Sequence, residues 1–275
     1  MMVALLLMVL LQVSCKRMQE IKFELGDDVV ETARHSGVPK FQVQKVSRSI
    51  IYSVAPVPEG IPVRYTRPGY ELSIAPLFSF TLYAEEERSR KVDEVSIIIG
   101  HITSHEAAHA FAEQMIAQFQ KGKWKRHIPE SCPAVTGRSS LLDETGKWTG
   151  NCPADPDYKL SLQEWLELLQ DQNPQKFPKW EWLGDGIFVR FYMWVSTYPE
   201  YPGDTRPSYR FSLDFQIDTV RKETDAELEA HDIKEGEIHG WPVAARIAAG
   251  KIETAKRIKL LEENAVKRGD RVVDR

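Results

Sequence analysis

At 275 residues the chain has the length of one large domain or two of ordinary size. Apolar residues make up 42% and charged residues 28%, as in an ordinary soluble globular protein. The formal net charge is −4, and no basic stripe or acidic block stands out, so nothing argues for a nucleic-acid partner.

The N-terminus opens on an almost unbroken apolar run from Val3 to Val13. It falls short of the roughly 20 residues that span a bilayer and suits the apolar core of a secretion signal. Cys15 follows, between Ser14 and Lys16. This arrangement resembles a bacterial lipoprotein signal, which implies acylation of Cys15 and a lipid anchor in the membrane. Gln12 departs from the pattern where such signals usually carry Leu, and no Lys or Arg precedes the run. A plain cleaved signal or a buried N-terminal helix are the alternatives. Export changes the reading of Cys132 and Cys152, each of which precedes a proline. In an oxidising compartment they are expected to pair, which stabilises by roughly 3 kcal/mol in the chain-entropy model. In the cytosol they would be two free thiols, and two thiols alone do not close a metal site.

Two segments recur at one offset. Pro39-Lys40-Phe41-Gln42-Val43 returns as Pro178-Lys179-Trp180-Glu181-Trp182, and Thr66-Arg67-Pro68-Gly69-Tyr70 returns as Thr205-Arg206-Pro207-Ser208-Tyr209, both 139 residues on. The expectation is an α+β protein built as two tandem repeats of a similar unit: a short helix, an antiparallel β-sheet and a long closing helix. The division is residues 1–15 as signal, 20–130 as first repeat, 131–155 as linker loop and 156–275 as second repeat. In the first unit a short helix is expected around Asp27–Ala33. Strands follow near Val43–Val54, Val63–Tyr65, Tyr70–Tyr83 and Val95–Ile99, where aromatic and β-branched residues dominate between Pro/Gly clusters. A helix from about Ser104 to Lys121 closes the unit, with Thr103 and Glu106 as a capping box. In the second unit Ser161 and Glu164 form a capping box before the apolar face Leu162, Trp165, Leu166 and Leu169. Strands follow near Ile187–Val195 and Tyr209–Ile217. The closing helix runs from about Pro242 to Lys267.

One pattern looks catalytic. His105-Glu106-Ala107-Ala108-His109 places two imidazoles four residues apart on one helical face, the spacing that holds a zinc ion while the glutamate polarises its bound water. It resembles the active-site helix of zinc metallopeptidases over about ten residues. No Gly-x-x-His follows; Glu130, Asp143 and Glu144 lie downstream with nothing to single one out as third ligand. As part of a capping box Glu106 has a structural role, and His105 falls in the first helical turn. The matching stretch of the second unit, Val243 to Ile247, carries no ligand.

Elsewhere there is no Gly-rich phosphate loop and no Gly-x-Ser-x-Gly elbow. Asp214 and Asp218 read as solvated carboxylates at a strand end. Trp180, Trp182 and Trp194 read as core packing ahead of a binding face. Glu253 to Lys267 reads as a solvated helical face. A signal ending at Cys15, followed by an α+β body without a convincing catalytic constellation, is similar in layout to the periplasmic immunity lipoproteins of bacterial type VI secretion systems. That resemblance implies a protein without catalysis or cofactor that neutralises a toxic effector, for instance a phospholipase, by plugging it. The Cys132–Cys152 loop, tipped by Asp143 and Glu144, is the candidate probe. The alternative is a zinc peptidase using His105, Glu106 and His109.

Overall fold

A computed structural model describes residues 20–58, 61–75, 77–86, 90–170, 177–196 and 206–275. Residues 1–15 with Cys15, and Thr205 of the second repeat anchor, lie outside the described residues.

The chain is α+β. In order it forms β1 (Ile21–Phe23), α1 (Val29–His35), β2 (Gln42–Val46), β3 (Ser49–Val54), β4 (Val63–Tyr65), β5 (Leu72–Ile74), β6 (Ser79–Glu85), β7 (Val92–Ile102), α2 (His105–Lys121) and β8 (Lys125–Arg126). There follow a 3-10 turn (Gly137–Leu141), α3 (Leu162–Gln170), β9 (Lys179–Gly184), β10 (Ile187–Ser196), β11 (Ser208–Ile217), α4 (Asp218–Ile238) and α5 (Val243–Arg268). Local chemistry sets several boundaries. Asp28 caps α1, its Oδ1 accepting from the backbone N–H of Val30 and Glu31. Ser161 and Glu164 cap α3 reciprocally, at 3.2 and 2.9 Å. The cap of α2 is Ser104, whose Oγ accepts from Ala107 N at 3.0 Å. Thr103 is displaced as cap by one residue, because Ser104 takes the extended conformation that an N-cap needs.

Eight strands form one antiparallel sheet in the order β2-β3-β6-β7-β11-β10-β9-β8. Its centre is the β7–β11 pair, in which Ile97 lies opposite Leu213 and Val95 opposite Phe215. A second, three-stranded sheet pairs β1 parallel with β4, and β4 antiparallel with β5. Asp185 and Gly186, both at positive φ, make the two-residue turn that joins β9 to β10, as the right-handed twist of a hairpin favours.

One face of the large sheet carries the core. The small sheet covers its first half, with Phe23 against Phe80 and Phe215 and Tyr65 against Phe215. Helices α2 and α3 cover the second half: Phe111 packs on Phe211, Phe119 stacks on Trp182 at 3.8 Å, and Trp165 stacks on Tyr209. One continuous cluster of buried side chains runs through both halves.

The proposed repeats therefore share a sheet and a core. The offset of 139 carries Pro39–Val43 at the start of β2 onto Pro178–Trp182 at the start of β9. The second anchor diverges: Thr66–Ser73 turns from β4 into β5 of the small sheet, whereas Arg206–Ser212 leads into β11 of the large one. Arg67 in the first anchor reaches across the halves, its Nη1 donating to the carbonyl of Asp185 at 3.0 Å and its Nε lying 3.3 Å from the Asp185 carboxylate. The 131–155 segment is also more than a linker. Its 3-10 turn packs on α5, and Val135 bridges to Val272 near the C-terminus.

Candidate binding surfaces and the His105–His109 helix

The two histidines of α2 do share a face, but each is held by the protein. His105 Nδ1 is hydrogen-bonded to the Tyr209 hydroxyl, and its ring meets the Tyr209 ring edge-on. Burial pushes the Tyr209 phenol up to about 12. His109 Nε2 lies 2.6 Å from the Leu160 carbonyl. A carbonyl only accepts, so Nε2 carries the proton. The ring also lies edge-on to Trp165 at 5.4 Å. Hydrogen bonds of this kind do orient metal ligands in metalloproteins. Glu106 is exposed at the start of the helix. Among the described residues no group of three or more His, Cys, Asp or Glu side chains comes together in a way that holds a metal ion. Glu130, Asp143 and Glu144 therefore supply no third ligand to the pair.

Cys132 and Cys152 form a disulfide, with Cα atoms 5.6 Å apart. The loop that it closes is braced from inside and outside. Inside, the largely buried Arg126 guanidinium donates to the carbonyls of Val135 and Pro153, at 2.7 and 3.4 Å. Burial lowers its affinity for its proton, and the nearby Asp155 opposes that. The Asp155 carboxylate accepts from Gly137 N at 2.6 Å. From outside, Glu262 of α5 accepts from Ala134 N, Asp270 from Ser139 N, and Arg275 donates to the carbonyls of Glu130 and Cys132. Asp143 and Glu144 sit at the tip, and Asp143 is committed there. Its Oδ1 accepts from Thr145 N, Thr145 Oγ1 and Lys147 N at 2.8 to 2.9 Å. These hydrogen bonds hold its carboxyl below the usual range, although burial pushes the other way. Glu144 is exposed. A cavity of about 250 Å³ lies beside them, bounded by Trp148, Cys152 and Arg257.

The second face of the large sheet is polar. Asp214 and Asp218 are not the solvated carboxylates that their position at a strand end suggests. Asp214 accepts from Ser96 and Ser212, at 2.8 and 3.0 Å. Asp218 is paired with Arg221 and Lys222, both at 2.7 Å, and these partners hold its carboxyl low against the opposing effect of burial. Gln216 donates to Glu94 at 2.9 Å, and Arg190 pairs with buried Glu181 at 2.9 Å. At one end of this face a cleft of about 480 Å³ opens between the sheet and the first turns of α4. It holds Asp93, Glu94, Arg190 and Arg221. Burial, followed by the neighbouring Glu94, raises the Asp93 carboxyl to about 6. Burial raises Glu94 as well. Trp180 and Trp182 are core residues at 2% exposure, while Trp194 is partly buried against the core.

The feature that the sequence did not announce is α4, which forms a hairpin with the expected closing helix α5. From Lys222 to Arg257 its residues are exposed or half-buried except Gly236, where a Cβ would meet Val243 of the facing helix. Its bend carries Ile238 at 65% and Trp241 at 58% exposure, and Trp241 stacks on His239 at 4.8 Å. Leu228 and Ile252 are equally open, at 59% and 60%. Large apolar side chains this open on a surface element are candidates for an interaction surface where they adjoin one another, as Ile238 and Trp241 do in sequence at the bend. The helix formers Glu, Lys and Ala between Lys222 and Glu237 were the available signal for α4. They give no apolar stripe, because α4 has so little core to face.

No family model, no curated protein and no solved structure matches the chain.

Proposed function

We propose that the chain is an exported binding protein of the immunity type. It neutralises a toxic secreted effector, in this reading a phospholipase of a type VI secretion system, by occluding it. The carrying observation is the projecting α4–α5 hairpin with Trp241 and Ile238 open at its bend. Tryptophan is among the residue types most enriched in interface hot spots. The Cys132–Cys152 bond agrees with an oxidising compartment, and with it the reading of the N-terminal run as a signal that anchors the mature chain through Cys15 to a periplasmic membrane leaflet. The braced Asp143–Glu144 tip is a second, acidic contact on the same partner.

The experiment titrates purified mature chain against the effector encoded beside it and follows the effector's lipase activity. Stoichiometric loss of activity is expected. A Trp241→Ala, Ile238→Ala double variant is expected to weaken inhibition at least about tenfold, the scale of a hot-spot loss. An effector that stays fully active in an excess of native chain refutes the proposal.

A further inference from the structure

The cleft of about 480 Å³ between the large sheet and the first turns of α4 holds charges of both signs that do not meet. Asp93 and Glu94, neighbours on β7, line one side. Neither pairs with a cation among the described residues. Asp93 accepts from the backbone N–H groups of Glu85 and of its own residue, and Glu94 accepts from Gln216 at 2.9 Å. Arg190 lines the other side from β10, with 45% of its side chain exposed. Its Nε donates to Glu181 at 2.9 Å, and its two Nη groups make no hydrogen bond among the described residues. Glu94 lies opposite Gln216, and Arg190 opposite Asp214. Strand β11 therefore runs between them, and their Cα atoms are about 12 Å apart at the usual spacings of a sheet.

The other charges of the cleft are committed. Arg221 is held by Asp218 and Asp225, at 2.7 and 3.5 Å, and lies over the Phe188 ring with its Nε enclosed. Glu85 and Glu227 have contacts of their own. Tyr83 stands opposite Glu94 on β6, half-buried, and its hydroxyl makes no hydrogen bond among the described residues. Burial raises the Glu94 carboxyl, and Arg190 is near enough to oppose that only in part. Adjacent carboxylates without a cation are destabilising. Where a fold keeps them in an open cleft, they mark a candidate functional site.

We propose that this cleft binds a small zwitterion, a molecule with an ammonium and a carboxylate held a few carbons apart. The ammonium sits against Asp93 and Glu94, with the Tyr83 hydroxyl as a further acceptor. The carboxylate takes the Nη edge of Arg190, whose planar fork suits a two-oxygen anion. An anion alone would meet the two carboxylates, and a cation alone would leave Arg190 unfilled. The cleft lies within the size range of small-molecule sites. This inference stands apart from the effector reading, since neither the hairpin bend nor the Cys132–Cys152 loop contributes to it.

Butyrate, butylamine and γ-aminobutyrate share one carbon chain and differ in charge. Each is titrated at neutral pH into the full mature chain labelled with ¹⁵N. The amide signals of Glu94 and Thr224, on the sheet and helix sides of the cleft, are followed. The zwitterion should bind saturably in the millimolar range usual for probes this small. It should bind at least about tenfold more tightly than either singly charged probe, the scale of one charge-assisted hydrogen bond. The double variant Asp93→Asn, Glu94→Gln should bring it down to the level of butyrate, and Arg190→Gln to the level of butylamine. Near-ultraviolet circular dichroism of each variant checks that packing stays native. No saturable binding of γ-aminobutyrate, equally tight binding of butyrate or butylamine, or unchanged binding in the double variant would each overturn the proposal. Asparagine and glutamine keep an accepting oxygen, so the double variant decides it even where loss of the Arg190–Glu181 pair unfolds Arg190→Gln.

Discussion

Asp93→Asn is expected to stabilise the protein at neutral pH. Asp93 is partly buried on the rim of the cleft beneath α4, next to Glu94, and its carboxyl is raised to about 6 from an ordinary 3.8. Burial is the largest cause and Glu94 the second, opposed by hydrogen bonds from the backbone N–H groups of Asp93 itself and Glu85. Because the folded value lies above the unfolded one, the native state holds more protons than the unfolded chain between about pH 4 and pH 6. Stability therefore falls as the pH rises through that window and stays lowered above it. A carboxyl moved from 3.8 to about 6 costs about 3 kcal/mol in full at 1.36 kcal/mol per pH unit. Solvent reaches part of the side chain, and screening brings the expectation to about 1–2 kcal/mol. Asparagine keeps an oxygen for the backbone donors and removes the charge. Urea unfolding at pH 7.5 should show the variant more stable by about 1–2 kcal/mol, and at pH 4 the gain should largely disappear. Glu94 still titrates in the variant, so some pH dependence persists. An equal gain at both pH values, or none at pH 7.5, would refute the reasoning.

Four further outcomes follow from contacts described above. Replacing both Cys132 and Cys152 by Ser should cost about 3 kcal/mol, as the chain-entropy model gives for a sequence separation of 20; calorimetry of the oxidised native and variant chains measures it. Trp182→Ala removes a fully buried ring stacked on Phe119 and should cost about 3–5 kcal/mol in urea unfolding. Gly184→Ala would place a Cβ 2.5 Å from Tyr70 Cε1 and 2.7 Å from Trp124 Cε3; the expected loss is about 1–3 kcal/mol, read as a lower thermal midpoint. Trp241→Ala should leave stability within about 0.5 kcal/mol, which separates the proposed interface role from a folding one when inhibition is assayed in parallel.

What could be read from the sequence was local. Asp28, Ser161 with Glu164, and the apolar spacing of α2 and α5 fix helices within a few neighbouring residues, and those helices stand within one or two residues of expectation. The Cys132–Cys152 pairing was expected from the export reading and loop composition, and the disulfide is present. Most strands were legible from β-branched and aromatic runs, but Ile21–Phe23, Lys125–Arg126 and Lys179–Gly184 were not, and the runs Val43–Val54 and Tyr70–Tyr83 each hold two strands. Partners were not legible, because pairing is decided by residues that can lie over a hundred positions apart. That is why Thr66–Ser73 and Arg206–Ser212, alike as sequence, end in different sheets. The His105–Glu106–His109 spacing was equally visible, but the roles of Tyr209 and the Leu160 carbonyl, which hold the imidazoles, are tertiary. The Trp180 indole N–H is of the same kind: the sequence shows an aromatic residue in a strand, and only the packed core shows a buried donor that meets no acceptor among the described residues.

The β7–β11 pair at the middle of the large sheet also sets how the chain must fold. Ile98 lies opposite Ser212, so this contact closes a loop of more than a hundred residues, an entropic cost of about 2–3 kcal/mol beyond that of a short loop. In a chain delivered N-terminus first, β2, β3, β6 and β7 emerge early, and the edge of β7 remains unpaired until β11 arrives. An unpaired edge rich in isoleucine is a template for wrong partners. Slow folding, sensitivity to truncation after β10 and dependence on holdase chaperones are the expected consequences, and they make the last third of the chain the kinetic key to the first.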